Sequence, residues 1–138
     1  MTAGPLTGEQ VLDLTRAFGG PLCTMILGEM GARVVKIEEP GSGDETRAWP
    51  IQMGGGLSTY FATLNRNKQS LTLDLKSNEG RAIALAIAAR SGILVENFTP
   101  GVADRLGLGY EDVCAVRPDV IYCSISGFGQ TGPYRTRK

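Results

Sequence analysis

Five short runs rich in aliphatic and β-branched residues, at 11–14, 33–38, 70–75, 93–95 and 120–126, are each separated from the next by more chain than a hairpin turn uses. Strands that far apart pair in parallel through crossovers, and such crossovers are right-handed and carry helices onto the sheet. The pattern predicts an α/β fold: an open, doubly wound, mainly parallel sheet of about five strands, covered on both faces. No internal repeat competes with it. In a sheet of that kind, ligands bind beyond the carboxyl ends of the strands, so the turns after each strand are the informative segments.

Local punctuation supports the rhythm. Gly19, Gly20 and Pro21 predict a turn and a helix start, with Leu22, Met25, Ile26 and Met30 on one face and Gly31 as the stop. Residues 59–65 predict a short helix, and the polar turn from Asn65 to Lys68 leads into the third strand, where Leu71, Leu73 and Leu75 alternate with Thr72 and Asp74. Ser77 is the expected N-cap of the next helix, whose residues 81–91 are apolar almost all round and predict burial against much protein. After the fourth strand, Thr99 and Pro100 predict an N-cap and a first helical residue, with a further helix at 110–116. The stretch 49–58, with Gly54, Gly55 and Gly56 in a row, supports two readings: a mobile excursion, or a seat for a ligand or a neighbouring subunit.

Composition removes several function classes. Fourteen basic residues offset fourteen acidic ones, so no overall field draws in nucleic acid or an anionic membrane, and any anion site must be local. The sequence has no histidine, which takes away Ser-His and Cys-His pairs and most zinc sites; no metal is expected. Cys23, Cys114 and Cys123 are odd in number and lie on apolar segments, which predicts reduced, buried thiols in a cytoplasmic protein. Neither an export or transit signal nor an apolar run of about 18 residues is visible, so no membrane is expected. At 138 residues, 42% hydrophobic and 20% charged, one core suffices: one domain or part of one.

Candidate ligand groups fall in the turns. Arg16 follows the first strand, Lys76 the third, and Asn97, Phe98 and then Arg105 the fourth. Cations and amides converging on one sheet edge suit an anionic, nucleotide-like ligand, and a helix start at Thr99 would add unpaired N–H groups. The alternative is that solvated Lys and Arg simply populate loop ends. Gly127-Phe128-Gly129-Gln130-Thr131-Gly132 matches G-x-G-x-x-G, but it follows the fifth strand and runs into Pro133, which favours a glycine turn near a ligand over a dinucleotide fingerprint. Asp44, with Glu45 and Arg47, reads either as an acid/base group or as an exposed loop with a local ion pair, and Asp13 within the first strand reads as structural.

The segments Val11 to Arg16, Gly31 to Glu38, Gly43-Asp44 with Arg47, Asn65-Arg66-Asn67-Lys68, Leu73-Asp74-Leu75-Lys76, Glu96-Asn97-Phe98 with Pro100-Gly101, and Gly127 to Pro133 carry a resemblance. In this order they resemble the N-terminal third of the class III coenzyme A transferases, the group that includes formyl-CoA and carnitine CoA transferases. The α-methylacyl-CoA racemases share the early motifs, while Asn65 to Lys68 and Asn97-Phe98 are more similar to the transferases. The resemblance implies that residues 1–138 are the N-terminal part of a Rossmann-like CoA-binding domain. Its implied CoA contacts are Arg16, Ala17, Phe18, Gly19, Leu73, Lys76, Asn97, Phe98, Val102, Arg105 and Lys138. Glu39 departs from the pattern, since some relatives carry an arginine there near the CoA phosphates.

The implied reaction moves CoA between an acyl-CoA and a carboxylic acid through an aspartyl intermediate. Its nucleophilic aspartate lies past Lys138, so no catalytic residue is expected within this chain, which alone is expected to be inactive. CoA and acyl-CoA would be substrates, with no tightly bound cofactor, in a cytoplasmic enzyme that forms an intertwined homodimer. A racemase-like fragment, an NAD-type dinucleotide-binding domain and a non-catalytic scaffold fragment are the alternatives.

Overall fold

A computed structural model describes residues 4–55 and 57–137. The chain runs through β1 (Gln10–Asp13), α1 (Gly19–Glu29), β2 (Arg33–Glu38), a 3-10 turn (Glu45–Ala48), β3 (Gln52–Gly54), β4 (Leu57–Ser58), α2 (Thr59–Asn65), β5 (Lys68–Thr72), α3 (Asn78–Ala88), β6 (Ile93–Glu96), α4 (Val102–Arg105), α5 (Tyr110–Val116) and β7 (Ile121–Ser124). Five strands form one sheet in the order β5-β2-β1-β6-β7, and every pairing in it is parallel. The expected α/β doubly wound sheet is therefore present. β3 and β4 make a separate antiparallel ribbon within the stretch that sequence left open.

Alternation along the strands sorts two cores. Leu12, Val35 and Leu94 point to one face and pack with Ala84 and Ala88 of α3 and with Leu108 and Val113 near α5. Val11, Val34 and Val95 point to the other face, against Ala32, Cys23 and Leu27. Register keeps this consistent, since Val11 pairs with Val34 and Ile93, and Leu12 with Val35 and Leu94. A one-residue slip would exchange the two faces.

Several expectations shift. The third strand begins and ends earlier than 70–75: Leu73 N–H still bonds the Glu38 carbonyl at 3.0 Å, but Asp74 Oδ1 then accepts the Lys76 N–H at 2.9 Å and turns the chain out of the sheet. On α1 the buried side is Pro21, Thr24, Met25 and Gly28, while Ile26 and Met30 face outward. Thr24 turns inward because its hydroxyl reaches the buried Asp13, and Gly28 sits where a side chain would press on Val34. Helix α3, capped by Ser77 as expected, buries only Gly80, Ala84 and Ala88, and Ile83 is nearly half exposed. Alanine made that helix look apolar all round, yet its single methyl offers little apolar area to bury and suits an exposed helix face by propensity. Cys23, Cys114 and Cys123 are free but half-buried rather than buried. Among the described residues no helix is long and apolar enough to cross a membrane.

Candidate functional site

Because all five strands run the same way, the turns after them share one edge. β1 is where the strand order reverses, with β2 and β5 on one side and β6 and β7 on the other, and such a switch point opens a crevice between the outgoing turns. The crevice is pinned by Asn97. Its side-chain oxygen accepts the Arg16 N–H at 2.8 Å and its amide nitrogen donates to the Arg16 carbonyl at 2.8 Å, tying the turn after β6 to the turn after β1.

The turn after β1 is held from beneath as well. Lys36 on β2 is fully buried, and its Nζ donates to the Thr15 carbonyl at 2.7 Å while lying 3.0 Å from Asp44 Oδ2. Ala17, next in line, sits at φ +64°, a left-handed conformation that costs a residue with a Cβ about 1 kcal/mol or more. Gly20 is required close by: a Cβ there would lie 2.3 Å from the Thr15 Cβ. Two clamps thus fix a strained, exposed backbone segment beside the crevice.

Asp13 anchors the same region. It accepts from Thr15 N–H at 2.9 Å, Thr15 Oγ1 at 2.5 Å, Thr24 Oγ1 at 2.6 Å and Lys68 Nζ at 3.1 Å, all buried or nearly so. That is a structural role, as expected. Asp44 is a correction. It is neither exposed nor paired with Arg47; it is buried, caps the 3-10 turn through the Thr46 N–H at 3.0 Å, and faces Lys36. Arg47 instead grips Glu38 with two bonds of 2.7 and 2.8 Å. Burial opposes ionisation of Glu38, but the bonds from Arg47, Ser70 and the Asp44 N–H outweigh it and draw its carboxyl down to about 2. Burial likewise opposes charge on Asp44, and Lys36 and Thr46 reverse that, leaving its pKa below the usual aspartate value.

The sequence-predicted contacts distribute over adjoining recesses. Arg16, Leu73, Lys76 and Phe98 line one niche, floored by Leu14 and Ile37 and closed by Leu106, with Glu39 at its edge. Phe98 is also a wall of a second recess that holds Gly19 and Asn97. Arg105 lies apart from Arg16 and Lys76, in a third recess with Thr99 and Gly101. Ala17, Phe18 and Val102 line none of the three; Phe18 is exposed and its ring centroid lies 6.2 Å from Tyr60. Lys138 lies outside the described residues.

Sequence reasoning missed Arg135, shared by the second and third recesses, and Arg137 in the second. A basic cluster after a glycine turn was the only signal, and nothing local placed it beside Asn97. The helix start at Thr99 is corrected. Thr99 makes no cap; its carbonyl accepts the Val102 N–H at 3.0 Å across a turn with Pro100 second and Gly101 third, and Gly101 at φ +78° is the residue before the four-residue α4. That is a type II turn, which Pro-Gly satisfies, so the unpaired N–H groups of a longer helix start are not offered here. Among the described residues the Gly127 to Gly132 segment runs into turns at 133–137 and not into a helix, unlike the dinucleotide fingerprint, whose glycines open one.

Fold and crevice together define an open parallel α/β protein with a cation-rimmed, apolar-floored recess at its switch point. Residues 6–138 match the family model described as CoA-transferase family III. The chain belongs to that family. It is 48% identical over 133 residues to succinyl-CoA:glutarate CoA-transferase of Homo sapiens, covering 96% of this chain and 30% of that protein. It is 49% identical over 130 residues to acetyl-CoA:oxalate CoA-transferase of Acetobacter aceti, covering 94% and 33%. Among solved structures, a CAIB/BAIF family protein from Brucella suis superposes with a TM-score of 0.93 at 41% identity, over 99% of this chain and 37% of that one. The chain spans about a third of the length of these relatives.

Proposed function

We propose that this chain is the CoA-holding part of an enzyme that moves coenzyme A between an acyl-CoA and a carboxylic acid. The observation that carries the reading is the Asn97 clamp on Arg16: it fixes the main chain from which that cation extends, beside Lys76 and Phe98 at the switch point, where a nucleotide-like anion would meet charge and an apolar floor together. The family supplies the ligand class, and the relatives named succinyl-CoA:glutarate and acetyl-CoA:oxalate CoA-transferases support an acyl-CoA and a carboxylic acid as the substrate pair. Residues 1–138 would form the N-terminal part of the CoA-binding domain, with CoA bound as a substrate and no resident cofactor.

In the proposed reaction an aspartate carboxylate attacks the thioester carbonyl, the C–S bond breaks, and a mixed anhydride and free CoA thiolate result. The thiolate then attacks the aspartyl carbonyl and expels the first carboxylate, leaving CoA as an enzyme thioester. A second carboxylate reverses both steps and departs as the new acyl-CoA. That aspartate is proposed to come from sequence after Lys138, as the family resemblance implies. Asp13 and Asp44 are each engaged by a buried lysine and by hydroxyl or amide donors, and Asp74 is spent on the turn before α3. The enzyme is proposed to act as a homodimer; the β3–β4 ribbon presents Ile51 and Met53 outward, each more than 60% exposed, as apolar surface in want of cover.

Calorimetry with CoA, desulfo-CoA and NAD tests the ligand. CoA is expected to bind, and Lys76→Ala and Arg105→Ala each to weaken it by about 1 to 3 kcal/mol, with the larger effect at Lys76 because Arg105 lies in a separate recess. Tighter binding of NAD would overturn the ligand. A chain extended past Lys138, incubated with acyl-CoA, labelled carboxylate and hydroxylamine, is expected to exchange CoA and to yield a trapped aspartyl derivative. Trapping on residues 1–138 alone would overturn the placement of the nucleophile.

A further inference from the structure

Glu38 and Glu39 are neighbours at the end of β2 with opposite fates. Glu38 is buried and bonded to Arg47, Ser70 and the Asp44 N–H. Glu39 turns to the niche, with its side chain about 40% exposed, and spreads its two oxygens between cations from different turns: Oε2 lies 3.6 Å from Arg16 Nη1 and Oε1 lies 3.6 Å from Lys76 Nζ. Among the described residues neither cation has another carboxylate within 4 Å. At 3.6 Å these are loose electrostatic contacts with no hydrogen bond, unlike the buried pairs at 3.0 and 3.1 Å that Lys36 and Lys68 make.

A carboxylate that bridges two exposed cationic side chains over an apolar floor sits as a phosphoryl oxygen would. We propose that Glu39 is a specificity-determining residue that competes with ligand phosphate for Arg16 and Lys76. With the site empty, it holds the two cations at the niche; when the ligand enters, a phosphate takes one or both and the glutamate swings into solvent, which its exposure permits. The three side chains sum to one positive charge with Glu39 present and to two without it. This rests on the reading of the crevice as a CoA seat, and the phosphate involved is either the diphosphate or the 3′-phosphate of that ligand.

The test compares the protein as it occurs, including any sequence after Lys138, with Glu39→Gln and Glu39→Ala, by calorimetry at low and high salt with CoA, dephospho-CoA and inorganic pyrophosphate. Both variants are expected to bind CoA about 3- to 10-fold tighter at low salt, with the gain shrinking as salt screens it. A gain kept with dephospho-CoA puts the displaced contact at the diphosphate; a gain confined to CoA puts it at the 3′-phosphate, and either result supports the proposal. Unchanged or weaker CoA binding in both variants, beside normal binding by the unaltered protein, overturns it while leaving the CoA reading intact. A gain for pyrophosphate without CoA binding by any of the three proteins keeps the competition and sinks the CoA reading. Silence from every probe on all three proteins overturns both.

Discussion

The two walls of the crevice are built on different principles. Under the turns after β1 and β2, Asp13, Lys68, Lys36, Asp44, Glu38 and Arg47 form charge pairs with one or both partners buried, each bonded further to hydroxyl or backbone groups. Beyond β6 and β7, the chain from Thr99 to Arg137 has Arg117–Asp119 as its ion pair, and most of its polar side chains are exposed. The first wall sets where Arg16 sits. The second is an open lip, ordered mainly by turns. A crevice at a switch point can hold a ligand only if one wall does not yield, and buried charge pairs supply such a wall, since misplacing either partner leaves an uncompensated charge.

The contrast is broken most sharply at Lys36. Lys36→Met keeps bulk but strands Asp44 and frees the Thr15 carbonyl, and a loss of about 3–5 kcal/mol in urea unfolding is expected. Lys36→Met with Asp44→Asn is expected to recover part of that loss, because the stranded charge is gone. A loss under about 1 kcal/mol for the single variant would mean that the pair faces water and that the two walls do not differ in kind.

Acid is the next lever on the same wall. The Glu38 carboxyl is held near 2 and Asp44 below its usual range, so both are more acidic folded than unfolded. A depressed carboxyl stabilises the fold above its unfolded value, and that contribution fades as pH falls through the folded one. Stability is therefore expected to be level above about pH 5 and to drop between about pH 4.5 and 2, with Glu38 accounting for about 2–3 kcal/mol. In Glu38→Gln the drop, followed by circular dichroism, is expected to shrink. An unaltered drop would remove Glu38 as its source and leave Asp44 as the depressed carboxyl on this wall.

Much of the frame was legible because strands and crossovers write themselves locally. The apolar run at Val11 to Leu14, the β-branched run from Arg33, the Ser77 cap and the stop at Gly31 each follow from a few adjacent residues. What was not legible depends on chain folding back on itself. Asp44 sits in a glycine-rich loop and reads as exposed; only the return of that loop over β2 buries it against Lys36 eight positions earlier. The β3–β4 ribbon escaped for a related reason, since two- and three-residue strands rich in glycine carry no period. The turns that gather at the candidate site were marked by residue type, whereas the division between the first two recesses comes from where Phe98 stands, lining both.

The smallest effect tests the open lip. Thr99 and Pro100 look like a helix cap in sequence, and a true cap lost to alanine costs about 1 kcal/mol. Here the Thr99 side chain caps nothing and only its carbonyl is used, which alanine retains, so Thr99→Ala is expected to change stability by less than about 0.5 kcal/mol. Gly101 carries the turn. Its φ of +78° strains any side chain, and a Cβ there would also stand 3.3 Å from Arg105 Nη1, so Gly101→Ala is expected to cost about 1–2 kcal/mol in the same urea titration. The order of the two variants decides between the two local structures: if Thr99→Ala proves the more damaging, the segment is a capped helix start offering free N–H groups, and the open lip would be an anion site in its own right.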